Sequence, residues 1–365
     1  MGLGAIVVIG AGENIFSQRV GKDPASANAG LAREVALLDG PLTCVEVLGR
    51  TTVERMVERL LRTGVDRVCL IVVEAVAHYG NPFRASFERA EAEVAAAPEV
   101  AVSQRLAEYS QSGIDHCFVL SADTYVETDL LDLFYFHRES RQVATRAFDQ
   151  DGLLDLWVVD CAKAQRVSVE RLLAPDATSY FVREYVNRLK HPRDLRRFAV
   201  DSLSGRCEAV ASGKEIKTGI WVDLGAEIHR RARLVAPVYL GRRVKVREGT
   251  LITRCSAVEA GSRVDSGSVI DDTSVLENTE VGICLDVCHA VVSGNRLLSL
   301  GRNCVLEIHD ANLLRSTVLD RVSSSALTGP NRKVETLIAK DVKKSESEKS
   351  IQLPHGSWVP ILSRE

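Results

Sequence analysis

Two short apolar segments end in residues that suit ligand binding. Residues 5–9 form an unbroken apolar run that is followed by Gly10, Ala11 and Gly12. Residues 116–120 form a second, mostly apolar run, and Asp123 comes three residues after it ends. Such runs predict buried parallel strands, and open α/β sheets bind ligands at the carboxyl ends of these strands. The glycines would admit a ligand close to the backbone and Asp123 would add a carboxylate; the alternatives are a tight turn and a turn cap.

The stretches around these strands have the patterns of further helices and strands. Thr51 and Glu54 form a capping box, and the apolar residues after them make one helical stripe. Other strands are expected at 67–73, 143–148 and 154–159, and other helices at 29–38 (within a long loop, 13–39), 83–97, 103–111, 129–138 and through 162–203, the last one starting at Pro192. Strands that alternate with helices predict a Rossmann-like α/β domain, with helices on both faces of a mostly parallel sheet.

The stretch from about residue 218 to residue 276 repeats every six residues. Large aliphatic residues stand at one fixed phase: Val222, Ile228, Leu234, Leu240, Val246, Ile252, Val258, Val264, Ile270 and Leu276. Two positions before each stands a small or β-branched residue. A fixed short period predicts a solenoid, because no single unit can bury its own apolar face; a β-sandwich would drift out of phase. We expect these aliphatic residues to be buried in about three coils, with irregular β structure closing the stack after Leu276.

This pattern resembles the hexapeptide repeat of left-handed parallel β-helices, in which three hexads make one triangular coil. The resemblance implies that the large aliphatic residue points inward and that the small one sits beside a corner. Helices of this kind occur in acyltransferases and in purely structural appendages. His229 and His289 lie in or near the repeat and are the candidate bases for an acyltransferase, although no insertion beside them would form an acceptor site.

The composition argues against several classes of protein. The 365 residues are 45% hydrophobic and 26% charged, which suits two or three globular domains, and a formal net charge of −3 gives no basic footprint for nucleic acid. No apolar run approaches the ~18 residues of a membrane span, and the N-terminus lacks the basic start of a signal peptide. Nine cysteines without a C-x-x-C pair indicate reduced thiols and a cytoplasmic protein.

An α/β domain followed by hexapeptide repeats resembles the sugar-1-phosphate nucleotidyltransferases, such as mannose-1-phosphate guanylyltransferase. Three stretches carry the resemblance: residues 48–72, LGRTTVERMVERLLRTGVDRVCLIV; residues 121–140, SADTYVETDLLDLFYFHRES; and residues 219–225, GIWVDLG. The resemblance covers roughly residues 5–310. It implies that a sugar-1-phosphate attacks the α-phosphate of a nucleoside triphosphate and releases pyrophosphate, for polysaccharide synthesis. That transfer requires backbone donors around phosphate, Mg²⁺ held by carboxylates and a cation on the developing charge.

The resemblance also implies roles for particular residues. Gly10, Ala11 and Gly12 would contact the nucleotide. Asp123 would hold the metal, and Asp223 matches the second metal carboxylate, although it also fits the first hexad as a solvated residue.

The loop after Gly12 departs from the family's pattern. Asn14 stands where the family has an arginine, and Gly40 stands where it has a lysine. Lys22 and Arg33 are the candidate replacements for these catalytic cations. The departures predict weak or absent turnover, with sugar-nucleotide binding more readily kept.

Three functions therefore stay open. The first is a divergent nucleotide-sugar pyrophosphorylase, the second a non-catalytic sugar-nucleotide-binding or regulatory subunit, and the third a β-helix acyltransferase. The expected domains are a nucleotidyltransferase-like domain at 1–205, a β-helix with a capping segment at 206–328 and a polar, partly disordered tail at 329–365. Members of the resembled family commonly associate through the flanks of the solenoid, so a homo-oligomer is expected.

Overall fold

The computed structural model describes residues 2–10, 36–38, 40–77, 89–165 and 178–318, so the predicted tail at 329–365 lies outside the described residues. A seven-stranded sheet forms the N-terminal part, with strands β1 (Gly2–Ile9), β2 (Arg67–Val73), β3 (Ala90–Ala95), β4 (Ile114–Ser121), β6 (Ala144–Asp149), β7 (Gly152–Asp160) and β8 (Thr178–Phe181). Their order is β3-β2-β1-β4-β7-β6-β8. Strands β1 to β4 are parallel, whereas β7 is antiparallel to both of its neighbours. The Rossmann-like α/β arrangement is confirmed.

Helices cover both faces of this sheet, as predicted. They are α1 (Thr52–Arg62), α2 (Glu74–Ala77), α3 (Pro98–Gln111), α4 (Leu130–Ser140), α5 (Cys161–Ala164) and α6 (Pro192–Leu203), with a 3-10 turn at Leu42–Cys44. The predicted capping box of α1 is present, because the backbone N–H of Glu54 donates to Thr51 Oγ1 at 3.1 Å and that of Thr51 donates to Glu54 Oε2 at 3.0 Å. Residues of α3 and α5 pack on one face of the sheet, and residues of α1, α4 and α6 pack on the other.

Two parts of the helix prediction are wrong. Residues 90–95, expected within a helix at 83–97, are strand β3, which pairs in parallel with β2. Alanine and glutamate favour helices, but here the free edge of β2 supplies backbone partners. Within the stretch predicted as helical at 162–203 lie β8 and a strand β9 (Val186–Arg188), which forms a two-stranded ribbon with β5 (Thr124–Val126). Of the expected helix at 29–38, only 36–38 are described, and these are not helical.

The C-terminal part is a stack of short parallel strands. They are β11 (Ile220–Val222), β12 (Glu227–Ile228), β13 (Arg233–Leu234), β14 (Val238–Leu240), β15 (Lys245–Val246), β16 (Leu251–Thr253), β17 (Ser256–Val258), β18 (Arg263–Val264), β19 (Val269–Asp271), β20 (Ser274–Val275), β21 (Thr279–Val281), β22 (Asp286–Cys288) and β23 (Ala290–Ser293). They form three sheets, which contain β11-β14-β17-β20-β23, β12-β15-β18-β21 and β13-β16-β19-β22. Val222 pairs with Leu240 and Leu240 with Val258, so one circuit takes 18 residues, or three hexads. The predicted repeat is thus a three-sided coil.

The interior of the coil contains most of the predicted aliphatic residues. The six from Leu240 to Ile270 are at most 2% exposed, whereas Ile228, in the first coil, is 36% exposed. The phase then slips by one residue, because Val258 pairs with Val275 and not with Leu276. Leu276 is buried, but it packs in another cluster with Leu37. The expected end of the repeat after Leu276 is wrong, since parallel pairing continues to β23. Counting by six missed this coil because it is one residue shorter.

The small residues of the repeat have a specific use in the later coils. Ser262 Oγ donates to the carbonyl of Leu276 at 2.8 Å and accepts from the N–H of Thr279 at 3.1 Å. Ser268 Oγ donates to the carbonyl of Gly282 at 2.6 Å and accepts from the N–H of Leu285 at 3.0 Å. The hydroxyls therefore satisfy buried backbone groups of the next coil, and we call this column the serine ladder.

Antiparallel strands flank the stack. Strand β10 (Lys214–Lys217) pairs with β11 at the start. Strands β24 (Arg296–Ser299), β25 (Cys304–Glu307) and β26 (Leu314–Ser316) close the far end. Within the described residues, no helix is both long and apolar enough to cross a bilayer.

Candidate functional site

The carboxyl edge of β1 and β4 brings two of the predicted site residues together. Val8 on β1 is in register with Ser121 on β4, and the N–H of Ala122 donates to the carbonyl of Val8 at 2.8 Å. Gly10 and Asp123 each stand two residues beyond that pair. They therefore leave adjacent parallel strands at the same edge, which is where open α/β sheets bind ligands.

Gly10 is required by the fold itself. Its φ is +81°, a region that side chains other than glycine rarely adopt, and a Cβ built there would lie 2.2 Å from Cγ2 of Val76. The tight turn therefore needs glycine with or without a ligand. Ala11 and Gly12, the other predicted nucleotide contacts, lie outside the described residues, as do Lys22 and Arg33.

Asp123 is held between the sheet and the β5–β9 ribbon. Its N–H donates to Ser121 Oγ at 3.1 Å, and its carbonyl accepts from the N–H of Leu189 at 2.9 Å. The Asp123 carboxylate lies near the thiol of Cys44, which belongs to the 3-10 turn. Burial raises the pKa of Cys44, and the negative charge of Asp123 raises it further. Backbone bonds from both sides thus fix the position of a half-buried carboxylate at the sheet edge.

The cation on the ribbon is already neutralised. Arg188, in register with Thr124 of β5, donates to both carboxylate oxygens of Asp149 at 2.6 and 2.7 Å. Burial raises the pKa of Asp149, but these bonds and nearby N–H donors outweigh it, so the pKa lies below its ordinary value. A bidentate pair of this kind is strong and directional. Arg188 is therefore not available to a phosphate without breaking it.

The residues present fit one kind of metal binding. Among the described residues, no group of three or more His, Cys, Asp or Glu side chains could hold a metal ion. Mg²⁺, however, often binds through one or two carboxylates and completes its shell with phosphate oxygens and water. Asp123 could supply one such carboxylate.

Asp223 has different neighbours from Asp123. Its Oδ1 accepts from the N–H of Leu224 at 2.7 Å, and its Oδ2 lies 4.0 Å from Nε of Arg242. Arg242 also contacts Glu46 at 3.1 Å. Asp223 is thus part of a charged cluster where the 42–50 segment meets the coil.

Sequence reasoning missed the centre of that junction. Glu259 is 1% exposed, and its two oxygens accept from the N–H groups of Leu48 at 2.7 Å and Gly49 at 3.0 Å. Burial, reinforced by Glu46, raises the pKa of Glu259 to about 8. Gly49 has φ +80°, and a Cβ there would lie 2.3 Å from the hydroxyl of buried Tyr239. The one signal in the sequence is a glutamate between Val258 and Ala260, inside the repeat.

A small cavity lies beside the ribbon. Its volume is about 30 Å³, and its lining includes Leu120, Thr124 and Val126, with Arg59 and Asp155 as charged members. This volume admits a single water molecule.

The two histidines of the repeat lie apart from the sheet edge. His229 is half-buried, and its Nδ1 accepts from the N–H of Arg231 at 3.3 Å. His289 has a 58% exposed side chain, and its Nδ1 lies 2.5 Å from Oδ2 of Asp272. Asp272 is also bound by Arg196 of α6 at 2.7 Å. The contact with Asp272 therefore orients a largely exposed His289 ring.

Comparison with known proteins adds no family: no protein-family model matches the chain, and no curated protein matches it.

Proposed function

We propose that the chain is a divergent homologue of the sugar-1-phosphate nucleotidyltransferases, with a left-handed β-helix as its second half. It binds a nucleoside triphosphate or a nucleotide sugar at the carboxyl edge of β1 and β4. The observation that carries the proposal is the Val8–Ser121 register, which brings Gly10 and Asp123 to that edge. The β5–β9 ribbon beside Asp123 and the three-sided coil downstream support it.

The chemistry would use Asp123 to hold Mg²⁺ carried by the phosphates. A sugar-1-phosphate would attack the α-phosphate, and pyrophosphate would leave. The developing charge needs a cation, but Arg188 is bound to Asp149. Because loss of one preorganised charge-stabilising donor costs ~10²–10³ in rate, turnover should be weak unless Lys22 or Arg33 supplies that charge.

A non-catalytic sugar-nucleotide-binding or regulatory subunit is the second candidate. The neighbours of Asp223 favour it, because Asp223 bonds its own turn and faces Arg242. In such a subunit, the carboxyl edge of β1 and β4 would bind the nucleotide sugar, and no nucleotidyl transfer would take place there.

Thermal shift and calorimetry test the binding proposal directly. Nucleoside triphosphates and nucleotide sugars would be titrated with and without Mg²⁺ into the parent, Asp123→Asn and Asp115→Asn. Asp115 is a matched control, because it is exposed and lies at the opposite end of β4. A ligand at 100 times its dissociation constant should stabilise the parent by ~2.7 kcal/mol. Asp123→Asn should lose the Mg²⁺-dependent part of that shift, and Asp115→Asn should keep it.

Pyrophosphate release separates the two candidate functions. A turnover near ~10 s⁻¹, typical of enzymes in general, that disappears in Asp123→Asn would establish an active transferase and remove the expectation of weak activity. Equal binding and turnover in the parent and Asp123→Asn would show that Asp123 is only a turn residue, and the proposed site would be wrong.

A further inference from the structure

The two ends of the coil stack are closed to different degrees. Strands β12 and β13 are the outermost strands of their sheets and pair only with the second coil, through β15 and β16. The N–H groups of Glu227 and His229 donate to carbonyls of that second coil. Because N–H groups alternate in direction along a strand, the N–H of Ile228 points away from the second coil, toward the open edge. Two of the three sides of the first coil therefore present open strand edges within the described part of the chain.

Aliphatic side chains surround these open edges. Leu224 is 79% exposed, Ile228 is 36% exposed, and Val235 and Ile216 are also exposed. At the far end, by contrast, β24 and β26 cover two of the three sides, and only β22 is an outermost strand of its sheet. The interior residues Val281 and Val287 are buried there. Apolar surface beside an unpaired strand edge is what binding surfaces for an added strand present.

The charge of the stack changes sign along its axis. Residues 218–253, the first two coils, contain seven Lys and Arg against three Asp and Glu. Residues 254–288, the next two, contain two against seven. Around the open end, four basic side chains are exposed and have no ion pair among the described residues: Lys214, Lys217, Arg230 and Arg233. Exposed Glu215 and Glu227 lie at the same end, and Glu227 pairs with Lys245. Basic side chains outnumber acidic ones there, so the open end has a net positive charge.

This charge decides between possible occupants. A second copy docked by a two-fold axis would place the same basic surface against itself, and like charges across an interface oppose association. A nucleic acid would match the charge but would leave the strand edges and the aliphatic side chains without partners. An acidic strand satisfies all three features, since its backbone completes the edge while alternate side chains cover the aliphatic residues and reach the arginines.

We propose that the open first coil of the stack is a docking site for an acidic, extended segment of a partner protein, which binds as an additional strand along β12 or β13. The partner's glutamate or aspartate side chains pair with Arg230 and Arg233. Its aliphatic side chains cover Ile228 and Leu224. The site is separate from the sheet edge at Asp123 and does not depend on its function.

The probe is a short fluorescent peptide in which valine and glutamate alternate, titrated into the full chain and followed by anisotropy. The matched peptide has lysine in place of glutamate. A third carries N-methyl groups on alternate backbone nitrogens and keeps the glutamates. The first peptide should bind, with an affinity that falls as salt rises, and the other two should not. The double variant Arg230→Glu/Arg233→Glu should weaken binding at least about tenfold, and Arg302→Glu, exposed at the other end of the stack, should leave it unchanged.

Four results would overturn the proposal. Equal binding of the lysine peptide would remove the charge argument, and equal binding of the N-methylated peptide would remove the added strand. A single-stranded oligonucleotide that binds as tightly as the glutamate peptide would indicate a general polyanion surface. Sedimentation that shows a dimer dissociated by Arg230→Glu/Arg233→Glu would identify a second copy as the occupant.

Discussion

The buried carboxyl group of Glu259 should make the stability of this protein fall as the pH rises. Glu259 joins the coil to the turn at Leu48 and Gly49 through two backbone hydrogen bonds. Burial is the main cause that raises its pKa from the ordinary 4.5 to about 8. The N–H donors of Leu48 and Gly49 and the charge of Arg55 oppose the shift, and Glu46 adds to it. The informative change is Glu259→Gln, which keeps one carbonyl acceptor and cannot ionise.

The sign follows from the protons bound in each state. Between pH 4.5 and about 8 the folded chain retains a proton on Glu259 that the unfolded chain releases. The stabilisation from this group is therefore complete below the unfolded pKa and is lost as the pH rises through the folded pKa. The slope is at most ~1.4 kcal/mol per pH unit of unfolding free energy. Glu259→Gln removes this slope, and it costs ~1–3 kcal/mol at acid pH because an N–H donor of the turn loses its acceptor.

Urea denaturation of the parent and of Glu259→Gln at several pH values between 5 and 8 measures how their free energies of unfolding differ. The parent should lose stability relative to Glu259→Gln as the pH rises, so that the two curves approach each other. Glu248→Gln is the control, because Glu248 is an exposed carboxylate of the same stack and pairs with Arg231. If the parent and Glu259→Gln change in parallel with pH, the reasoning from burial is refuted.

Three further substitutions test how the stack is held together. Leu240→Asp places a charge in the interior, where Leu240 is fully buried, and should lower the free energy of unfolding by more than ~4 kcal/mol. Leu224→Asp changes an exposed leucine and should alter that free energy by no more than ~0.5 kcal/mol. Equal melting of the two variants would contradict the assignment of Leu240 to the interior of the stack. Ser268→Ala removes two hydrogen bonds of the serine ladder and should lower the free energy of unfolding by ~1–3 kcal/mol. Ser266→Ala, two residues away, should be nearly neutral. The same loss of stability from both variants would exclude the ladder as the cause. Arg196→Met breaks the bonds from α6 to Cys255 O and Asp272. It should cost ~1–3 kcal/mol, because the Cys255 carbonyl loses its donor whereas Asp272, which is a third exposed, keeps its contact with His289. Arg197→Met, at the exposed neighbour, should cost under ~1 kcal/mol, and equal denaturation midpoints for the two variants would argue against Arg196 as a link between α6 and the stack.

The parts of the fold that sequence reasoning predicted are those with a local period. The hexads fix which side of the chain faces inward, so Leu240, Val258 and Ile270 were identified without knowledge of their partners. The step from Ile270 to Val275 is five residues instead of six, and a search with a fixed period of six cannot show where such a shortening occurs. Strand β3 was missed because Ala and Glu favour helices when no neighbouring strand is considered.

The candidate site divides in the same way. Gly10 and Asp123 could be located because each follows an apolar run, and carboxyl ends of parallel strands share an edge. The junction could not be found, because Glu259 bonds backbone groups 210 and 211 residues earlier in the chain. No local pattern encodes a contact of that separation. The pairing of Arg188 with Asp149 is likewise set by the path of the β5–β9 ribbon and not by spacing in the sequence.

The serine ladder gives the stack a direction of unfolding. At the ladder's phase the first coils have Ala226, Ala232, Val238 and Val244, and hydroxyls begin only at Thr250. In a repeat protein each unit depends on the neighbour against which it stacks, so the early coils are linked by fewer bonds than the later ones. Fraying should therefore begin at the open end and stop near Thr250, and amide protons of β12 and β13 should exchange before those of β18 and β19. The surface proposed to bind a partner strand is thus also the part of the stack that should unfold locally at the lowest free energy.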